Sequence, residues 1–367
     1  MKYSIVTTTI NVPVLLEKYV DDVIKNNRDC FFVVVGDKKT PAEAKAYCER
    51  LGKEKGIDIL FMDVAWQEEY LKDFPELGAH IPYNVIQRRN IGILYAYQKG
   101  ADVIITIDDD NFFLSEDFAG LHTVGDVKKM EVLSSNTGWL NVCAFLREEF
   151  GRIFYHRGFA PEARFKKEVI KGEEREMKVV VNAGFWLEDP DIDALTRLYY
   201  LAQPINAVAY ERESNFALAS GTWSTFNSQN TSLARETIPA YFLSPTVGRY
   251  DDIWGAYVIK RIADHLGHLI SFGFPIVEQK RNPHNYWKDL AKESDGMMLT
   301  SRFVDALSSI QLSGKDYADC YAEITNALPD ALKIKENTTP EHQKYLLDYI
   351  EGMKVWIKTF ERLNLLK

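Results

Sequence analysis

Residues 101–118 read ADVIITIDDDNFFLSEDF, so three adjacent carboxylates, Asp108, Asp109 and Asp110, close an apolar run with the character of a buried strand. Like charges side by side repel, and Asp is a poor strand former. Such a cluster calls for a cation or a set of donors. On an extended backbone alternate side chains share a side, so Asp108 and Asp110 can meet one ion. Asp109 then turns elsewhere, to a sugar hydroxyl or a structural partner. Hard divalent cations take carboxylate oxygen, and Mg2+ keeps waters and bridges to phosphate. The spacing therefore suits Mn2+ or Mg2+ working on a diphosphate leaving group, the need of a metal-dependent nucleotide-sugar enzyme. The plainer alternative is a cap on the turn around Asn111.

Other segments could serve the same chemistry. QRRN (87–90) puts Arg88 and Arg89 at the start of a helix just before the acidic strand, and YHRGFAPEARF (155–165) supplies Arg157 and Arg164 in a Gly- and Pro-interrupted loop. Guanidinium forks pair with phosphate in bidentate fashion, although a surface ion pair is the commoner fate of an arginine. VGRYDDIWGAYVIKRIADHLGH (247–268) sets Asp251 and Asp252 before a helix, as a general base, a hydroxyl anchor or simply an N-cap. His284, in KRNPHNYW, is a candidate third metal ligand; the other six histidines read as ordinary core or surface residues.

The elements that would position these groups alternate through the first 120 residues. YSIVTTTI, CFFVVVGD, IDILFMDV and ADVIITIDDD have strand character. VPVLLEKYVDDVIKNN, TPAEAKAYCERLGKEKG (with a Thr-Pro cap signal and a terminal Gly) and YNVIQRRNIGILYAYQKG have helical spacing. That alternation predicts a parallel sheet with helices on both faces, and ligands of such sheets sit at the carboxyl ends of the strands. From about 130 to 300 the pattern is irregular and aromatic-rich. The charged RFKKEVIKGEEREMK (164–178) reads as a solvated hairpin or mobile loop. Beyond 300, SRFVDALSSIQL, DYADCYAEITNAL and PEHQKYLLDYIEGMKVWIKTFERLN are helical by spacing. The expected organisation is a catalytic domain over 1–300 with a C-terminal helical segment, 301–367, packed on it.

Bulk properties narrow the class. With 44 basic against 53 acidic residues the net charge is −9, which argues against a nucleic-acid or anionic-membrane surface. Cys30, Cys48, Cys143 and Cys320 lack metal-ligand spacing and read as reduced thiols of a cytoplasmic protein. MKYSIVTTTINVP opens directly with a strand pattern and no apolar leader. The longest apolar runs fall well short of the ~20 residues of a spanning helix, so a soluble protein is expected.

Taken in order, ITIDDDNF, FYHRGFAPEAR, NAGFWLEDPDIDALTRL, NTSLARE, VGRYDDIWGAYVIKRIADHLG and MKVWIKTFERLN resemble the reversibly glycosylated polypeptides, a family that includes the UDP-arabinopyranose mutases. The resemblance runs from about residue 85 onward. It implies an α/β fold of GT-A type, a Rossmann-like mixed sheet flanked by helices, with a divalent ion at the acidic motif. It also implies a UDP-sugar substrate whose pyranose and furanose rings are interconverted, and an arginine, here Arg157, that is reversibly glycosylated. Uracil as the base follows from the same resemblance; Asp37, at the end of the second strand, is the candidate to contact it, and Thr7 and Thr8, ending the first, are candidates to line the nucleotide pocket. The family's histidine near GFPIVEQKRNP is missing, so Glu278, Gln279 or His284 would stand in for it. Two other functions stay open: a metal-dependent glycosyltransferase acting on a separate acceptor, and a non-catalytic nucleotide-sugar-binding subunit. A homo- or hetero-oligomer is left open as well.

Overall fold

The structure, a computed structural model, describes residues 1–280, 284–336 and 338–366. Four short apolar runs form parallel strands, β1 (Tyr3–Thr8), β2 (Cys30–Val35), β3 (Ile59–Met62) and β4 (Val103–Asp108), in the spatial order β3-β2-β1-β4. Helices α1 (Leu16–Lys25), α2 (Glu43–Lys55), α3 (Val64–Tyr70), α4 (Pro75–His80) and α5 (Arg89–Gln98) occur between these strands. Burial on both faces explains why FFVVV and VIITI are continuous rather than alternating. Helix α2 ends on Gly56 in the left-handed region, φ 68°, as its terminal glycine foretells. Thr40, read as its cap, does other work. Its hydroxyl donates to the Thr9 carbonyl at 2.6 Å and accepts the Asp37 amide at 2.7 Å, tying the end of β2 to the end of β1.

Gly92 lets α5 lie close on this sheet. A Cβ there would come within 2.8 Å of Val6 and Val35 side-chain carbons, so a larger residue would push the helix off the strands. The helix carries Arg88 and Arg89 at its start, so this close approach sets how near they stand to the strand ends.

After β4 the sheet becomes mixed. The chain continues through β5 (Asn111–Phe113), α6 (Phe118–Leu121), β6 (Val127–Ser135), β7 (Leu146–Glu148), β8 (Ile170–Glu188), α7 (Ala194–Tyr199), β9 (Ala207–Tyr210), β10 (Phe216–Leu218), β11 (Asn230–Ala234), α8 (Asp251–Leu266) and β12 (Leu269–Gln279). Among the described residues twelve strands share one sheet. Strand β11 runs antiparallel to β4, β8 antiparallel to β11, and β12 parallel to β8. Strand β8 is 19 residues long and changes partner along its length. Its first half carries most of the charged stretch and pairs with β6 as an exposed ribbon, Val127↔Lys178 through Ser135↔Ile170. Neither expectation for that stretch describes it: residues 170–178 are the start of one long strand paired with the distant β6, not a hairpin closed on itself or a mobile loop.

Three helices close the chain, α9 (Tyr286–Ser309), α10 (Tyr317–Ala331) and α11 (Pro340–Leu365). The domain boundary expected at 300/301 falls inside α9, because the helical segment begins fifteen residues earlier, at Tyr286. It shares the core of the sheet domain. Trp254 of α8 stacks on Phe303 of α9 at 4.3 Å and meets Tyr349 of α11 edge-on at 5.0 Å. The Trp356 indole donates to the Ile238 carbonyl at 3.1 Å. Among the described residues no helix is long and apolar enough to cross a membrane.

Candidate functional site

Beyond the carboxyl end of β4 lies a cavity of about 520 Å3. Its walls come from residues 84–89 leading into α5, the end of β4, the loops that carry Arg157 and Asp191, the residues just before β11, the end of β12, the turn leading into α8, and the start of α9. A second cavity, of about 230 Å3, opens at the ends of β1 and β2, and both cavities are lined by Asn84, Val85 and Ile86.

The repulsion within the acidic triplet is relieved residue by residue. Asp108 Oδ1 accepts from Arg89 Nη2 at 2.5 Å, and the Arg89 side chain is only 1% exposed. That guanidinium also donates to the Ser228 carbonyl and hydroxyl at 2.7 and 2.8 Å, and to Thr8 Oγ1 and the Ile107 carbonyl at 3.2 Å each. Arg89 thus braces the ends of β1 and β4 and the residues leading into β11. Asp109 turns the other way, toward the smaller cavity, and accepts from Thr9 Oγ1 at 2.5 Å. Burial pushes its carboxyl above the ordinary value, against the pull of Thr9. Asp110 rejoins Asp108 in the wall of the larger cavity, as the alternation of an extended chain requires.

The opposite wall is a buried ion cluster. Arg157 Nε and Nη2 donate to the two carboxylate oxygens of Asp191 at 3.0 and 2.9 Å. Its Nη atoms also meet Asp252 Oδ1 at 3.2 and 3.3 Å, and Nη1 donates to the Arg249 carbonyl. Burial works against the cation, but Asp191 and Asp252 outweigh it, holding the guanidinium well above its ordinary pKa. Gly158, at φ 89° and packed against Ile253, gives the chain the turn that aims Arg157 inward. Asp252 also accepts the Ser228 amide at 2.9 Å, while Asp251 accepts Gln87 Nε2 at 2.8 Å. Both sit in the first turn of α8, where the helix dipole favours acids, yet their side chains bond outward; the cap residue is Tyr250. Burial, then the charge of Asp252, pushes Asp251 up to about 7, with Arg157 pulling it down.

The larger cavity therefore gathers Arg89, Asp108, Asp110, Arg157, Asp251, Asp252 and His284, and the smaller one Thr8, Asp37, Arg88 and Asp109. Two expected residues lie elsewhere. Thr7 points to the face of β1 opposite Thr8, into a narrow crevice with Leu16 and Tyr19. Arg164 is an anchor: it donates to Asp193 Oδ2 at 2.7 Å, and Asp193 in turn caps α7. Asp37 lines the smaller cavity, but its oxygens accept the Asn84 and Lys38 amides at 2.5 and 2.7 Å, the work of a turn former. His284 Nδ1 lies 2.9 Å from Asp289 Oδ2, and residues 281–283 before it lie outside the described residues. Among the described residues no three His, Cys, Asp or Glu side chains gather as a metal site, so His284 is not brought to Asp108 and Asp110 as a third ligand. Glu278 and Gln279, the other stand-ins for the family's missing histidine, lie at the end of β12, and of these Gln279 lines the cavity.

Sequence reasoning did not single out Gln87, Asp191, Ser228, Arg249 or Lys292, all of which line the larger cavity. Asp191 had a faint signal, an acid in the DPDID turn just past a strand pattern; Lys292 had none, being one polar residue of an amphipathic helix. Among the described residues Lys292 forms no ion pair, whereas Arg89, Arg157 and Arg249 each do.

The reversibly glycosylated polypeptide family model matches residues 170–365, more than half of the chain. UDP-arabinopyranose mutase 3 of Arabidopsis thaliana is 27% identical over 192 residues, 50% of each chain. A probable UDP-arabinopyranose mutase 2 of Solanum tuberosum is 26% identical over 276 residues, 71% of this chain and 68% of that one. Most of these matches are shorter, and the chain spans about half the length of the curated relatives it matches. Among solved structures, a mannosyltransferase from Pyrobaculum calidifontis in complex with GDP-Man and Mn2+ aligns over 99% of this chain and 84% of that one. The TM-score is 0.38 and the identity 11%. The acidic triplet and Arg157 precede the residues the family model matches, while Asp191, Asp251, Asp252 and Lys292 fall within them. On that match the chain belongs to the reversibly glycosylated polypeptide family.

Proposed function

We propose that this protein is an enzyme, a UDP-sugar mutase of the UDP-arabinopyranose type that interconverts pyranose and furanose rings with the help of Mn2+ or Mg2+. What supports the reading is the convergence, in one cavity at the strand ends, of Asp108 and Asp110 with the Arg157, Asp251 and Asp252 cluster. The smaller cavity, with Thr8, Arg88 and Asp109, would take the nucleoside, and the larger one the diphosphate and sugar. Arg88 suits that place: burial lowers its pKa, among the described residues its Nη2 has no protein partner, and its guanidinium carbon lies 4.4 Å from the Tyr83 ring centre.

Charge supports a cation. Six aspartates line the larger cavity against four Arg and Lys residues, and even with one carboxyl protonated the acids outnumber the cations, so added positive charge would favour entry of a diphosphate. Asp108 and Asp110 are the hard oxygen donors that would hold a divalent ion, leaving its other positions to phosphate and water. When bound, the ion would neutralise the diphosphate as its bond to the anomeric carbon breaks. Lys292, from the far wall, is the protein's own counter-charge to the same diphosphate.

Reversible glycosylation of Arg157 belongs to this reading, and its cost is explicit. The guanidinium must give up a proton, for which Asp252 is the adjacent acceptor, and must leave part of a bonded cluster. That same saturation favours a second reading, a metal-dependent transferase that passes the sugar to a separate acceptor. Incubating the full chain with UDP-arabinopyranose and Mn2+ and chromatographing the products separates the two. Furanose nucleotide supports the mutase; hydrolysis alone, or transfer only with an added acceptor, supports the transferase.

A further inference from the structure

Asp251 and Asp252 are consecutive carboxylates whose surroundings divide them. Asp252 is held by the Arg157 guanidinium at 3.2–3.4 Å and by the Ser228 amide and hydroxyl at 2.9 and 3.2 Å. Asp251 meets only neutral groups, Gln87 Nε2 at 2.8 Å and the backbone of Asp252, and forms no ion pair among the described residues. Both line the larger cavity and both are nearly wholly buried. Two adjacent carboxylates removed from water resist ionising together, and the proton stays on the one without a cation.

We propose that Asp251 carries the proton that ring interconversion must move. The inference rests on the mutase reading. Between the pyranose and furanose forms the diphosphate leaves C1 with the electron pair of their bond and the Arg157 nitrogen bonds C1 in its place; the C1–O5 bond then breaks, a C1–O4 bond forms, and the returning diphosphate displaces the nitrogen. The electron pair of the C1–O5 bond stays on O5, which needs a proton; O4 uses a lone pair to bond C1 and must lose one. Asp251 gives its proton to O5 and then takes the proton of O4, ending as it began. No oxidant, reductant or second substrate enters the balance. Its pKa, raised to about 7 by burial and by Asp252, lets one carboxyl both give and take a proton near neutrality. The ionisable groups that act on or feel Asp251 are Asp252 on its own helix, Arg157 from the loop after β7, Tyr241 after β11, and Tyr345 on α11. The two tyrosines are themselves held above their ordinary range, Tyr241 by burial and then Asp252, and Tyr345 by burial and then Tyr250, so neither titrates near neutrality.

The test uses the full chain with UDP-arabinopyranose and Mn2+. Wild type should lose kcat/KM as the pH rises past about 7, when Asp251 has no proton to give. Asp251→Asn should slow interconversion by about 100-fold or more, with the alkaline fall gone from the residual rate and UDP binding within about twofold of wild type. Asp251→Glu should restore part of the rate and move the alkaline fall; it also serves if the Asn variant does not fold. An Asp251→Asn or Asp251→Glu protein with wild-type turnover and an unchanged pH profile overturns the proposal while leaving the mutase reading intact. A wild-type protein that makes no furanose product overturns both.

Discussion

The two walls of the larger cavity hold similar charges in opposite ways. On the sheet side, Arg89 pairs with Asp108, whose side chain is still 30% exposed, and Asp110 completes a carboxylate edge facing the cavity. On the helix side, Arg157, Asp191 and Asp252 satisfy one another, each 8% exposed or less. On the proposed reading the first wall takes a ligand from outside the protein. The second is already complete, and removing one member strands the others. In that reading a ligand-binding edge and a rigid backing face each other across the cavity.

Substitutions can break that contrast, beginning with the largest effect. Asp110→Asn should lower metal-dependent turnover by about 100- to 1,000-fold, read as product formed against Mn2+ concentration, with little change in urea midpoint. A loss of folding instead of turnover would make the sheet wall structural. Arg157→Ala should do the reverse in kind. Leaving Asp191 and Asp252 buried without their cation costs about 3–5 kcal/mol of stability, measurable by urea denaturation, in addition to any loss of activity. If that variant unfolds at the wild-type midpoint, the cluster is not the backing described above. Lys292→Ala is the mildest. It should raise KM for the UDP-sugar about 5- to 10-fold with kcat nearly unchanged, and shift stability by less than about 0.5 kcal/mol.

Much of the first wall was legible in the sequence because its physics is local. Buried strands read as continuous apolar runs, helices as a 3.6-residue period, and the strand end places Asp108 and Asp110 together with Asp109 turned away. The same alternation separates Thr7 from Thr8, so two adjacent strand residues could not both line one pocket. The second wall depends on contacts between distant segments. Arg157, Asp251 and Asp252 were visible as residue types near turns, yet Asp191, the partner of Arg157, lies 34 residues from it, just past the end of a strand that changes partner midway. Spacing alone could not show that Arg164, in the same loop as Arg157, is spent on Asp193. Nor could it show that α9 begins at Tyr286 and brings Lys292 to the cavity.

The central claim is ring interconversion, and following it from both directions is the most direct test. Separate incubations of the full chain with UDP-arabinopyranose and with UDP-arabinofuranose, each with Mn2+, should converge on the same mixture of the two nucleotides. Removal of the metal with a chelator should stop both. Two reactions that never meet, or that yield only free sugar and UDP, would contradict it.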